Sequence, residues 1–119
     1  MLLSGYNIMI AQGNTLRLRI GLKRDGGFTG KDKIVLKIRS ENEKQLISKI
    51  LEISDNAAFF TLDSAESLSI MTGVHKWDIT IYINAQIKDG VIISADEVIT
   101  PFMNAKFEVK KQASREEEQ

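Results

Sequence analysis

The chain has 119 residues, enough for one domain and too few for two independent cores. Its 16 basic and 16 acidic side chains cancel, whereas nucleic-acid binders usually carry an uncancelled basic excess. Cysteine is absent, which excludes disulfides and thiolate chemistry, and a core of this size holds without such staples.

The N-terminal "MLLSGYNI" has no basic n-region, and its apolar run is too short for a signal peptide. No stretch of about 18 apolar residues follows, so no membrane span is expected and the cytoplasm is the expected place of synthesis. "NIMIAQGNT" opens with a short apolar run. From there Leu16, Leu18, Ile20 and Leu22 alternate with Arg17, Arg19 and Lys23, the period of a half-buried strand. Asp25-Gly26 supplies the backbone of a tight turn. "KIVLKIR" then resumes the alternation, with Ile34, Leu36 and Ile38 inward and Lys33, Lys37 and Arg39 outward. These two strands are expected to pair as a hairpin with a long turn. Residues 41–53 fit a helical stripe (Leu46, Ile47, Ile50, Leu51) or a strand (Ile47, Leu51, Ile53), and the strand is favoured.

"AAFFTLD" reads as a short aromatic strand. Asp63 with Glu66 three residues on forms a helix-start signature, with Gly73 as the expected stop. One short helical turn near 63–72 is therefore expected, turning Leu68 and Met71 inward. In "GVHKWDITIYI", His75, Trp77, Ile79, Ile81 and Ile83 share one face, and Lys76, Asp78, Thr80 and Tyr82 the other. Asp89-Gly90 signals a second hairpin. "VIISADEVITPF" is the expected returning strand with Pro101 at its end, and "AKFEVK" is the last strand. Seven or eight short strands with regular turn signals indicate an all-β antiparallel sandwich over residues 1–110. Residues 111–119 carry no apolar period and are expected to form a charged, frayed tail.

Each chemistry-bearing group lacks partners. His75 is the single histidine, and zinc sites need three or four His or Cys ligands. It lies in phase with Trp77, Ile79 and Ile81, so all four are expected in the core. That expectation fails if His75 and Trp77 stand together in the wall of an open, ligand-sized hollow. "GGFTGKD" is one residue short of a phosphate loop, puts Asp32 where Ser/Thr would bind magnesium, and leads into a strand. Asp96 and Glu97 are adjacent, so in a strand they face opposite ways. No catalytic, metal or cofactor site is expected, and no enzyme.

Arg17, Arg19, Lys37 and Arg39 would crowd one sheet face if their strands paired. Two remedies are open: interleaved acids such as Asp78 and Glu108, or an acidic partner over the face. No aromatic side chain alternates with these cations to stack bases, so nucleic acid is not expected. Charge is also split along the chain. Residues 14–50 hold ten basic and four acidic residues, and residues 51–104 hold two basic and eight acidic.

"TGVHKWDITIYI" resembles the Gly-x-Tyr-x-Cys strand of immunoglobulin-like domains, with Gly73 at the glycine, His75 at the tyrosine and Trp77 at the cysteine. In order, "AQGNTLRLRI", "KRDGGFTG" and "LSIMTGVHKWDI" resemble the N-terminal β-sandwich of phage baseplate and tail proteins of Gram-positive hosts, across about residues 8–83. The resemblance implies an immunoglobulin-like sandwich and a non-catalytic virion structural role. Its partners would be other tail or baseplate proteins, or further copies of itself. The expected destination is the virion tail after cytoplasmic synthesis in the bacterial host. The competing expectation is a carbohydrate-binding or host-surface adhesion module, for which Tyr6, Phe28, Phe59, Tyr82 and Phe102 are the few aromatic candidates.

Overall fold

A computed structural model describes residues 2–4 and 6–111, so all but the first residue of the expected tail lies outside the described residues. The elements in chain order are β1 (Leu2–Ser4), β2 (Asn7–Ala11), β3 (Leu16–Gly21), β4 (Lys33–Arg39), β5 (Gln45–Glu52) and β6 (Ala57–Leu62). They continue as α1 (Ser64–Ser69), β7 (Gly73–Ile83), β8 (Gln86–Lys88), β9 (Val91–Ser94) and β10 (Glu97–Lys110). The protein is an all-β sandwich with one short helix. One layer has six strands in the order β1-β2-β10-β7-β4-β5, and the other is the pair β3-β6. A separate hairpin, β8-β9, brings the strands to more than the seven or eight expected. Most pairs are antiparallel, but β2 and β10 run parallel, with Phe107 opposite Ile8 and Val109 opposite Ile10.

β3 and β4 do not form the expected hairpin. β3 pairs with β6, Leu16 opposite Leu62 through Gly21 opposite Ala57, while β4 lies between β5 and β7. Alternation fixes which face of a strand is oily but not which strand lies beside it. Residues 22–32 are long enough to cross from one layer to the other, so Leu16 and Leu18 meet Ile34, Leu36 and Ile38 across the core. Residues 41–53 do form a strand, β5.

β7 is the spine of the larger sheet, with β4 on one side and β10 on the other. Its inward set is buried at His75, Trp77, Ile79 and Ile81, with Trp77 only 4% exposed; Ile83 is half-buried, and Asp78 on the other face is buried as well, paired with Arg39. The indole Nε1 donates to the Tyr6 carbonyl at 2.6 Å, which satisfies the one polar atom a buried tryptophan carries. Since a carbonyl only accepts, His75 carries its hydrogen on Nε2 and donates to the Met71 carbonyl at 2.7 Å.

The helix start is as the sequence indicates. Asp63 accepts from the Glu66 backbone at 2.7 Å and Glu66 Oε1 accepts from the Asp63 backbone at 3.0 Å, a complete capping box. Its inward face is different. Ser67 and Ile70 are buried, whereas Leu68 is exposed and Met71 is 77% exposed. The helix ends after Ser69 and Ile70 is already extended, so no second turn carries the stripe onward. Ser67 suits a close approach, its hydroxyl accepting from the Gly13 backbone at 3.0 Å. Gln12 Nε2 donates to the Ile70 carbonyl at 2.8 Å, so the "QGN" turn holds α1 against the end of the sandwich. Gly73 does not end the helix; at φ +132° it opens β7.

Pro101 lies inside β10, not at a strand end. The β10–β7 register shifts between Ile99 and Phe102, and β2 meets β10 only from Phe107 onward. The missing amide of Pro101 therefore falls at a bulge beside an unpaired edge, where proline is tolerated.

Replacing Trp77 by Ala is expected to cost about 3–5 kcal/mol, read as a lower urea midpoint with unchanged slope; full stability would remove the ring from the core. Glu66 titrates below the usual carboxylate value because it accepts from the Asp63 backbone and then from Lys49. Glu43 is lowered chiefly by its bond from Lys76, with Arg39 adding to it. Depressed folded values mean the stabilisation is complete above the ordinary carboxylate range and is lost as pH falls through the folded values. A Glu43→Gln, Glu66→Gln double variant should therefore lose less of its own melting temperature on acidification than the parent. Parallel pH curves would show that neither pair contributes.

Candidate interaction site

The four cations expected on one face are divided between two. Arg17 and Arg19 lie on β3 and Lys37 and Arg39 on β4, in different layers. Leu16 and Leu18 of β3 and Ile34, Leu36 and Ile38 of β4 fill the shared core, so the intervening cations point out of opposite sides of the sandwich. The joint face is thus corrected, for the same reason the β3–β4 hairpin is.

The two halves differ in charge balance. Arg39 Nη2 donates to Asp78 Oδ2 at 2.5 Å and to Asn104 Oδ1 at 2.9 Å, and the same guanidinium pairs with Glu43. Glu43 also accepts from Lys76 at 2.8 Å. Lys37 stands opposite Asp78 in the register. Interleaved acid therefore neutralises the β4 face, and Asp78 supplies it as one of the two remedies required. Arg17 and Arg19 make no ion pair among the described residues. Their neighbours across β6 are Thr61 and Phe59, and Phe59 is 65% exposed.

Beside β3 lies a cleft of about 240 Å³, lined by Leu18, Ile20 and Leu22 with Trp77, Ile79 and Phe102, and with Arg19 and Gly21 at its mouth. Tyr6 stacks on Phe102 at 4.3 Å between ring centroids, and Phe102 meets Trp77 edge-on at 4.8 Å. Trp77 lines this cleft but is only 4% exposed, and His75 is not among the lining residues. The cleft is smaller than ordinary ligand pockets of roughly 300–1,000 Å³. Of the aromatic candidates for a sugar platform, Tyr6 and Phe102 stack at this cleft with Tyr6 58% exposed, Phe59 is exposed on β6, Phe28 packs against the core, and Tyr82 lies in a groove under the β8–β9 hairpin.

The least expected surface is that hairpin. Asp89 and Gly90, both at positive φ, form its turn as the sequence indicates. The following residues do not return as one strand: β9 stops at Ser94, and β10 starts at Glu97 in another sheet. Ile87 and Val91 are exposed, and so is Val98 at the start of β10. Ile93, 63% exposed, is the extra residue of a bulge, because Ser94 pairs with Gln86 and Ile92 with Ile87. A count of valines and isoleucines hides this surface, since the same residues in a paired strand would be core.

The phosphate-loop lookalike carries its own anion. Asp32 is buried, and its carboxylate accepts from the Thr29 and Asn84 backbones, each at 2.8 Å. One loop amide, that of Thr29, is thus taken, and the loop is tied to the end of β7. No group of three or more His, Cys, Asp or Glu able to hold a metal exists among the described residues. No helix among them is long and apolar enough to cross a membrane.

No protein-family model, curated protein or solved structure matches this chain.

Asp32→Ala strands two backbone donors and is expected to cost about 3 kcal/mol, since bonds to a charged acceptor are worth roughly 1.5–3 kcal/mol each. Unchanged thermal stability would mean that the loop does not depend on this clamp.

Proposed function

We propose that the chain is a non-catalytic structural module of a phage tail or baseplate that works through protein–protein contacts. The observation that carries this reading is the β8–β9 hairpin, whose Ile87, Val91 and Ile93 are turned to solvent. A lone two-stranded hairpin is marginal in water, and exposed aliphatic surface of this kind is what a contacting partner covers. The hairpin gains only partial cover from its own body, where Val91 and Ile92 border a groove with Val35, Ile50 and Tyr82. Arg17 and Arg19 of β3, which make no ion pair among the described residues, add a second surface suited to an acidic partner. The phage setting rests on the run of "AQGNTLRLRI", "KRDGGFTG" and "LSIMTGVHKWDI" along the chain. Its destination is accordingly the virion tail.

The test is the composition of purified phage particles from bacteria carrying this gene. The chain is expected at fixed stoichiometry with the tail proteins, and Ile93→Asp is expected to lower its incorporation at least tenfold while the purified variant keeps its melting temperature. Absence of the parent chain from intact particles would overturn the proposal.

A further inference from the structure

Two features of the same molecule are each incomplete. Among the described residues β3 has a neighbour on one side only, because its layer contains β3 and β6 and no third strand. Next to that free edge lies the apolar cleft lined by Leu18, Ile20, Trp77 and Ile79. Elsewhere, β9 likewise has a neighbour among the described residues on one side only and carries the exposed Ile93. We infer that the β8–β9 hairpin of one copy adds β9 along the free edge of β3 in a second copy and places Ile93 in the cleft. The inference rests on the reading of the chain as a contact module and names its partner as another copy of itself.

Three observations favour a second copy over a small molecule or an unrelated chain. The cleft, at about 240 Å³, is below most ligand pockets and has room for an aliphatic side chain. A strand edge binds main chain, and β9 (Val91–Ser94) offers a short stretch of it, interrupted at the bulged Ile93, whose aliphatic side chain is left exposed. Charge also matches. Residues 16–24 carry Arg17, Arg19, Lys23 and Arg24 and no acid, while residues 86–97 carry Asp89, Asp96 and Glu97 against Lys88. Arg24 pairs with Glu97 within one copy at 3.1 Å, and Arg17, Arg19 and Asp89 make no ion pair among the described residues. The hairpin overlies the outer face of the larger sheet, whereas the cleft opens between the layers, so one copy's hairpin does not close its own cleft. The contact joins two different surfaces of the chain: made in one direction only it builds rings or filaments, and made reciprocally it closes a two-fold dimer.

The geometry makes a complementation test decisive. Ile93→Asp spoils the hairpin and leaves the cleft intact, and Arg19→Glu reverses the charge at the cleft mouth and leaves the hairpin intact. Both positions are exposed, so neither change threatens the core. By light scattering with sedimentation, the parent chain should associate as concentration rises and less so in high salt. Each variant alone should associate at least tenfold more weakly. An equimolar mixture should recover association but stop at dimers, because one working hairpin and one working cleft remain between the two chains. A parent that stays monomeric at about 1 mM overturns the inference, since contacts weaker than that are negligible. Association abolished by Ile93→Asp but untouched by Arg19→Glu also overturns it, by showing hairpin-to-hairpin contact. Incorporation into particles is scored separately, so a monomeric chain found in virions would defeat this inference and leave the proposed function standing.

Discussion

Two strands must cover the inner face of a sheet of six, and much of this structure follows from that imbalance. β6 lies next to β5, where Ser54 and Ala57 turn the chain from one layer to the other. β3 then reaches only part of the way across. At one end α1 supplies the missing cover: Ile70 joins the core cluster with Ile8, Ile10, Phe107 and Val109, and Gln12 and Gly13 hold the helical turn in place. At the middle of β10 nothing equivalent is present among the described residues, and the stacked Tyr6 and Phe102 partly roof Trp77. The cleft beside β3 is what remains.

The layer arrangement also explains why the basic half of the chain is neutralised on one side only. β4 and β5 sit in the large sheet near β7 and α1, so Arg39 meets Asp78, Lys49 meets Glu66 at 2.9 Å, and Lys33 pairs with Glu52. β3 has been carried to the other layer, where β6 presents Phe59 and Thr61 and no carboxylate. The same loop of residues 22–32 that breaks the hairpin expected from sequence therefore also leaves Arg17 and Arg19 without acid. Exposed ion pairs contribute little to stability, so the difference matters more for what each face attracts than for how firmly it folds.

Local signals were legible in the sequence and pairings were not. The period of two in β7 identified the buried set His75, Trp77, Ile79 and Ile81, because inward and outward residues alternate whatever strand lies alongside. Asp63 and Glu66 announced the helix start, since the capping box is closed within four residues. Neighbour relations such as β3 with β6 depend on where a loop crosses, and alternation carries no information about that. The same limit hid Asp32, whose two bonds join Thr29 to Asn84 across the sequence. It also hid the hairpin surface: Ile87, Val91 and Ile93 have the composition of core, and only their separation from both main sheets exposes them.

Stability and contact are divided between different parts of the chain. The buried aliphatic and aromatic residues of β3, β4, β6 and β7 form one continuous cluster, which a single domain of this size needs in order to fold. The hairpin of residues 86–94 adds almost nothing to that cluster, since Ile87, Val91 and Ile93 all remain exposed. Residues that neither fill the core nor avoid exposing aliphatic surface are a liability in an isolated protein. Such a segment persists at low cost where a neighbouring molecule covers it. In the self-association proposed above, the free strand edge calls for a neighbour that brings backbone as well as apolar area, and the edge of β3 offers both.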